Sequence, residues 1–280
     1  MNIINGQRLA NSIKNQLAAE IRKNEKRPGL AIILVGKNEG SEVYVRLKKK
    51  AAEYIGMNFH LYRFPEESAV EDIEQTIDWL NTDDDIDGII IQLPLPDHFD
   101  ENVLVSRIDP RKDADGFHPD NIKRYLAHES GAKAPVLVEG ILALIHQARA
   151  DISGTQAAIL ANSSIFALPL SESLEQEDAH VETLLQPTQK DLQSLADKDI
   201  VVVAIGKQYF VSAKYSKSDA ILIDVGYNRD NGAPAGDIQM DSFHDTDVSL
   251  TPVPGGVGPM TVSILLKRTK ELYEEHHKKL

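Results

Sequence analysis

Residues 30–64 read LAIILVGKNEGSEVYVRLKKKAAEYIGMNFHLYRF, and the change of hydrophobic period inside them decides the fold class. Leu30 to Val35 is apolar without alternation, as a strand covered on both faces should be. Ser41 to Ile55 switches to a helical period. At about 100° per residue Tyr44, Leu47, Ala51, Ala52 and Ile55 gather on one side. Glu42, Arg46, Lys49, Lys50 and Glu53 gather on the other. Asn58 to Phe64 then returns as a second strand. Strand, helix and strand in close succession predict a parallel sheet covered by helices.

The same alternation extends outward. Upstream, Gly6 to Glu25 reads as an amphipathic helix; downstream, Val70 to Leu80 is a helix and Gly88 to Leu93 a strongly apolar strand. Pro94 and Pro96 end that strand, since a proline has no N–H to give to a ladder. The polar stretch DPRKDADGFHPDN from Asp109 is expected to be a loop. Beyond Pro135 the pattern resumes, with a helix from Val138 to Ala148 and strands over Ala157–Ala161, Val201–Ile205 and Ile221–Val225. We therefore expect an α/β protein of two lobes dividing near Phe117 and Pro119. The first comprises residues 1–118 and 260–280, the second, of Rossmann type, residues 119–259. Met260 to His276 reads as a long amphipathic helix returning to pack on the first lobe.

Composition narrows the function classes. The formal charge of −13 and the absence of any basic block argue against a nucleic-acid partner. The same acidic field gives an anionic ligand no long-range help, so local positive groups must supply it. With no cysteine in the chain, disulfides, thiolate metal sites and a cysteine nucleophile are excluded. No apolar run approaches the roughly 20 residues that cross a bilayer. The opening MNIINGQRLANSIKNQL also lacks a basic-then-apolar layout, so a cytoplasmic protein without membrane contact is expected.

Three local features carry chemistry. Lys48 does not join its charged neighbours but projects into the apolar arc, one turn after Tyr44. Desolvation would lower the pKa of such an amine and fit it for proton transfer. The alternative is a lysine that snorkels, its stem buried and its head wet. Gln92 stands in a strand of otherwise buried residues near the carboxyl edge, where open α/β sheets bind ligands. Its alternative is a satisfied structural amide. KDADGFHP places Asp113, Asp115 and His118 together. It could be a hard-metal site, a tight Asp115-Gly116 turn, or a carboxylate presented to a ligand, although no glutamate closes a calcium loop.

In this order and spacing, these segments resemble the bifunctional methylenetetrahydrofolate dehydrogenase/cyclohydrolases. The family's tyrosine and lysine four apart appear as Tyr44 and Lys48, its glutamine-leucine-proline-leucine-proline run as Gln92 to Pro96, and its aspartate-glycine-phenylalanine loop as KDADGFHP. The late signature is TPVPGGVGPMT, Thr251 to Thr261, preceded by IDVGYNR and the pair Gly236-Asp237. The resemblance implies that Lys48 is the acid/base residue acting on water at the methenyl carbon, positioned by Tyr44 and Gln92. It implies that Asp115 binds the pterin, and that Pro254, Gly255 and Gly256 line the folate site. It further implies NADP as cofactor, no metal, tetrahydrofolate derivatives as ligands, and a homodimer formed through the cofactor lobe.

The cofactor half departs from the family's pattern. Its glycine-arginine-serine-x-isoleucine-valine-glycine-x-proline loop reads ANSSIFALP here, with Ala161 and Ala167 for the glycines and Asn162 for the arginine. The added methyls are expected to obstruct a pyrophosphate. Leu184, Leu185 and Gln186 stand for its cysteine-histidine-serine segment, and Pro135 to Val138 for its proline-cysteine-threonine-proline segment. The candidate cofactor residues are Ser163, Ser164 and Ile238. The expectation is therefore hydrolysis of 5,10-methenyltetrahydrofolate with weak or absent hydride transfer. The rivals are a fully bifunctional enzyme, whose helix amides hold the phosphates, and a non-catalytic folate-binding protein.

Overall fold

The computed structural model describes residues 1–23, 26–230 and 232–277. The chain begins β1 (Asn2–Ile3), α1 (Gly6–Ile21), β2 (Gly29–Val35), α2 (Glu39–Ile55), β3 (Asn58–Phe64), α3 (Val70–Thr82) and β4 (Gly88–Ile91). It continues α4 (Glu101–Ser106), α5 (Pro119–Leu126), α6 (Val136–Ala148), β5 (Gln156–Ala161), α7 (Ser164–Glu175), β6 (His180–Leu185), β7 (Ile200–Ala204) and β8 (Ile221–Asp224). A hairpin of β9 (Asn228–Asp230) and β10 (Ala233–Ala235), then β11 (Ser249–Leu250) and α8 (Val257–His277), complete it. Two compact units result, one of Ala10–Val136 with Val262–Leu280, the other of Met1–Leu9 with Leu137–Thr261.

In the unit containing Ala10–Val136, a three-stranded parallel sheet runs in the order β3-β2-β4. All seven residues of the central β2 are buried, which is why its sequence is apolar without alternation. Ile33, Val35, Ile89 and Ile91 pack against Ile73, Ile77 and Leu80 of α3. The stretch 112–114 pairs in parallel beside β4, with Ile89 N donating to Lys112 O and Ala114 N donating to Ile89 O. The last helix packs within this unit, as its sequence implied: Lys270 pairs with Glu20, and Lys133 with Glu271 and Glu275.

Several boundaries differ from expectation. The first helix ends at Ile21; Asn24 and Glu25, which its sequence also assigned to it, lie outside the described residues. Leu47 is exposed, and the buried face of α2 is instead Ser41, Val45, Lys48, Ala51, Ala52 and Ile55. Part of the expected loop is α5, begun by Pro119 at its first turn and capped by the His118 ring, which accepts from Asp120 N.

The other unit holds an all-parallel six-stranded sheet in the order β1-β11-β8-β7-β5-β6. The first residues belong here, because Asn2 and Ile3 pair with Ser249 and Leu250. The sequence division placed them with 1–118, since a two-residue strand has no period to read. It also placed 119–136 with the second lobe, whereas they group with Ala10–Val136. From β5 the chain crosses through α7 to β6 on one side, and β7 lies on the other. The carboxyl ends of β5 and β7 thus form the switch point at which sheets of this kind bind ligands.

Candidate active site

Lys48 lies on α2, a helix begun by Asn38, whose side chain accepts from Ser41 N, and ended at Gly56 with φ 83°. Its neighbours Lys49 and Lys50 are exposed, but Lys48 is 6 % exposed. Its Nζ donates to Gln92 Oε1 at 2.9 Å in a buried setting, so the head does not snorkel to water. Gln92 extends β4 by one ladder bond, its N–H donating to Ile33 O at 2.8 Å. Its Nε2 donates to Leu93 O at 2.8 Å, which fixes which end of the amide faces the lysine. Ser41 Oγ also donates to Leu93 O, tying the head of α2 to the strand end. Tyr44 is half-buried one turn before Lys48.

Asp115 comes two residues after the parallel bridge between Ile89 and Asp113, which carries it to the same carboxyl end of β4. Asp113 shapes the turn. One of its oxygens accepts from Gly116 N, the other from His118 N and Asn121 Nδ2, at 2.8–2.9 Å. Gly116 has φ 80°, and an added Cβ would lie 3.0 Å from Pro135 Cα. These contacts make Asp113 the residue that shapes the turn carrying Asp115. Burial lowers the Lys48 pKa, and the charge of Asp115 partly restores it. Burial likewise raises the Asp115 pKa, opposed by Lys48, reinforced by Asp113 and opposed by Arg268. Both groups are pushed toward their neutral forms, and each other's charge is the main restoring influence.

Pro254, Gly255 and Gly256 belong to the other unit. Pro254 is exposed and Gly255 has φ 111°, a backbone region that favours glycine. Gly256 is buried against Thr251 and Pro252, and its carbonyl oxygen lies where a Cβ on Gly6 would fall. Behind this loop is a frame that sequence reasoning missed. Asp224 at the end of β8 accepts from the N–H groups of Gly226, Asp237 and Ile238 at 2.9–3.0 Å. Asp237 in turn accepts from Ile205 N, Gly206 N and Asn228 Nδ2. Burial pushes the Asp224 carboxyl up to about 7, although its backbone donors favour the ion. An aspartate inside the apolar ILID run was the available signal, the same kind that singled out Gln92.

Asn162, Ser163 and Ser164 are exposed between β5 and α7, and Ser163 caps the helix by accepting from Ile165 N. Ala161 and Ala167 are buried, so neither adds exposed surface to the turn where the sequence suggested an obstruction. Ile238 is a core residue. Its side chain is buried, its N–H is held by Asp224 and its carbonyl accepts from Met240 N.

Residues 4–115 match the family model of the tetrahydrofolate dehydrogenase/cyclohydrolase catalytic domain, and residues 135–277 that of its NAD(P)-binding domain. The chain belongs to the tetrahydrofolate dehydrogenase/cyclohydrolase family. It is 40% identical over 271 residues to the bifunctional protein FolD of Bacillus subtilis, covering 95% of each chain. The crystal structure of the Trypanosoma brucei methylenetetrahydrofolate dehydrogenase-cyclohydrolase, complexed with NADP and inhibitor, superposes with a TM-score of 0.92 at 32% identity, covering 98% of this chain and 97% of that one. The bifunctional enzyme of Campylobacter jejuni gives 0.92 at 32% identity over 98% and 99%.

Within this family's NAD(P)-binding domain, the present residues fit a dinucleotide diphosphate. The head of α7 opens at the switch point and its first-turn residues are exposed. Among the described residues no helix is long and apolar enough to cross a membrane.

Proposed function

We propose that this enzyme interconverts one-carbon tetrahydrofolates, hydrolysing 5,10-methenyltetrahydrofolate to the 10-formyl form and oxidising the 5,10-methylene form with a nicotinamide dinucleotide. The observation that carries the reading is the desolvated Lys48 amine held by Gln92 beside Asp115. In the hydrolytic half, a water oxygen bonds to the methenyl carbon as its proton passes to the Lys48 amine. The carbon–N5 bond then breaks, the carbinol proton is lost and N5 gains one, for a net release of one proton. A neutral amine is needed for the first step, and burial shifts the Lys48 pKa downward, toward that form.

Asp115 suits the pterin ring, because a carboxylate accepts two hydrogen bonds from an amino group and an adjacent ring N–H. Tyr44, one turn from Lys48, orients the amine, and Pro254, Gly255 and Gly256 offer backbone that can approach the folate closely. The head of α7, with Ser163 and Ser164, would hold the dinucleotide diphosphate. When bound, the dinucleotide supplies the hydride acceptor.

Assaying both halves tests the reading: loss of methenyl absorbance in buffer, and gain of reduced-nicotinamide absorbance with the methylene substrate. Activity in neither would refute it. We further propose a cytoplasmic homodimer joined through the unit carrying the six-stranded sheet, to be checked by light scattering on the eluting protein.

A further inference from the structure

We propose that the NAD(P)-binding unit prefers NAD, the dinucleotide without a ribose 2′-phosphate, over NADP. This rests on the dehydrogenase half of the reading above. In doubly wound sheets the ribose is read at the end of the strand that follows the phosphate-binding helix, where an acidic group takes a 2′-hydroxyl and an arginine nearby takes a 2′-phosphate. Here that strand is β6, and it ends in Leu184, Leu185 and Gln186.

The register places Leu185 beside Ala161, the last residue of β5, and Gln186 N donates to Ala161 O at 2.8 Å. The end of β6 therefore lies against the start of the phosphate-binding turn. Leu185 is 49% exposed there, and Ile165 in the first turn of α7 is 50% exposed. Neither can bond to a phosphate. Asn162 is neutral, and its Nδ2 is already committed to Ile205 O at 2.6 Å. Gln186 offers an uncharged amide that suits a hydroxyl.

A 2′-phosphate brings nearly two negative charges to this surface, in a chain whose formal charge is −13. Two exposed lysines stand in neighbouring loops. Lys207 lies beyond β7 with its ammonium 5.4 Å from the centre of the Phe210 ring, and Lys190 follows β6 in the next loop. The donors at the head of α7 are backbone amides, which need no particular side chain, whereas Asn162 and the end of β6 offer no cation to a 2′-phosphate.

Calorimetric titration of the full-length protein with NAD, NADP, 5′-ADP and 2′,5′-ADP tests this without reference to turnover. NAD should bind about tenfold or more tightly than NADP, and 2′,5′-ADP should gain nothing over 5′-ADP. Asn162→Arg should tighten NADP and 2′,5′-ADP while leaving NAD within about twofold. NADP binding equal to or tighter than NAD in the unsubstituted protein would overturn the proposal, as would 2′,5′-ADP binding well above 5′-ADP. If neither dinucleotide binds while methenyl hydrolysis proceeds, both this preference and the dehydrogenase half fall, and the hydrolytic half stands.

Discussion

Lys48 Nζ donates to Gln92 Oε1 across 2.9 Å in a place from which both side chains are almost wholly withheld from solvent. The amine comes from a helix and the amide from the next-but-one strand, so the pair exists only because α2 packs over the end of β4. The Gln92 amide cannot rotate freely, since its other end is bonded to Leu93 O. Its oxygen is thus fixed toward the amine. Replacing Gln92 by Met keeps the length and removes the acceptor. Turnover in methenyl hydrolysis should fall roughly 10- to 100-fold with a smaller change in KM, measured by steady-state kinetics.

The electrostatic pairing of Lys48 with Asp115 gives a prediction whose sign is fixed. The Asp115 charge raises the Lys48 pKa against the lowering by burial. Asp115→Asn removes that charge, so the amine should lose its proton at still lower pH. Titration of the Lys48 ammonium by NMR should show the inflection below that of an ordinary lysine in the unsubstituted protein, and lower again in the variant. An upward move would contradict the pairing.

Gly116 holds φ 80° in the turn that presents Asp115. Alanine there meets both an unfavourable backbone region and the Pro135 backbone, at 3.0 Å from its Cα. Gly116→Ala should cost about 1–3 kcal/mol of stability and raise KM for the folate more than it lowers kcat. Denaturant melts and kinetics on the same preparation separate the two effects.

Asp224 predicts a pH effect on the other unit. Its folded-state pKa is raised to about 7, so between an ordinary carboxyl pKa and 7 the folded form binds more protons than the unfolded one. Stability should therefore decline as pH rises through that window and level off above it. Asp224→Asn should abolish this dependence. It should also lower stability throughout, because one of its two ends becomes a donor facing backbone N–H groups.

The architecture was largely readable because burial leaves a period. β2, α2, β3 and β4 declared themselves through apolar runs and one amphipathic turn pattern, and α8 through its length. Lys48 and Gln92 stood out as polar residues where the pattern called for apolar ones. Other features leave no such trace. The rotation of α2 that exposes Leu47 and buries Val45 depends on what packs above it, not on the helix itself. α7 was hidden by Pro169 inside it, and the two residues of β1 are too few to show a period. The burial of Ala161 and Ala167 depends on what packs around the turn, which a substitution in a motif does not reveal. Asp224 and Asp237 form their frame through backbone donors, and a sequence does not show where N–H groups point.

The central claim is that the hydrolytic chemistry runs through the buried amine of Lys48. Replacing Lys48 by Met preserves the apolar stem and removes only the amine. Methenyl hydrolysis should drop to the rate in buffer, while calorimetry finds folate binding within about threefold of the unsubstituted protein. Hydrolysis by Lys48→Met at near the original rate, with folate still bound, would contradict the account.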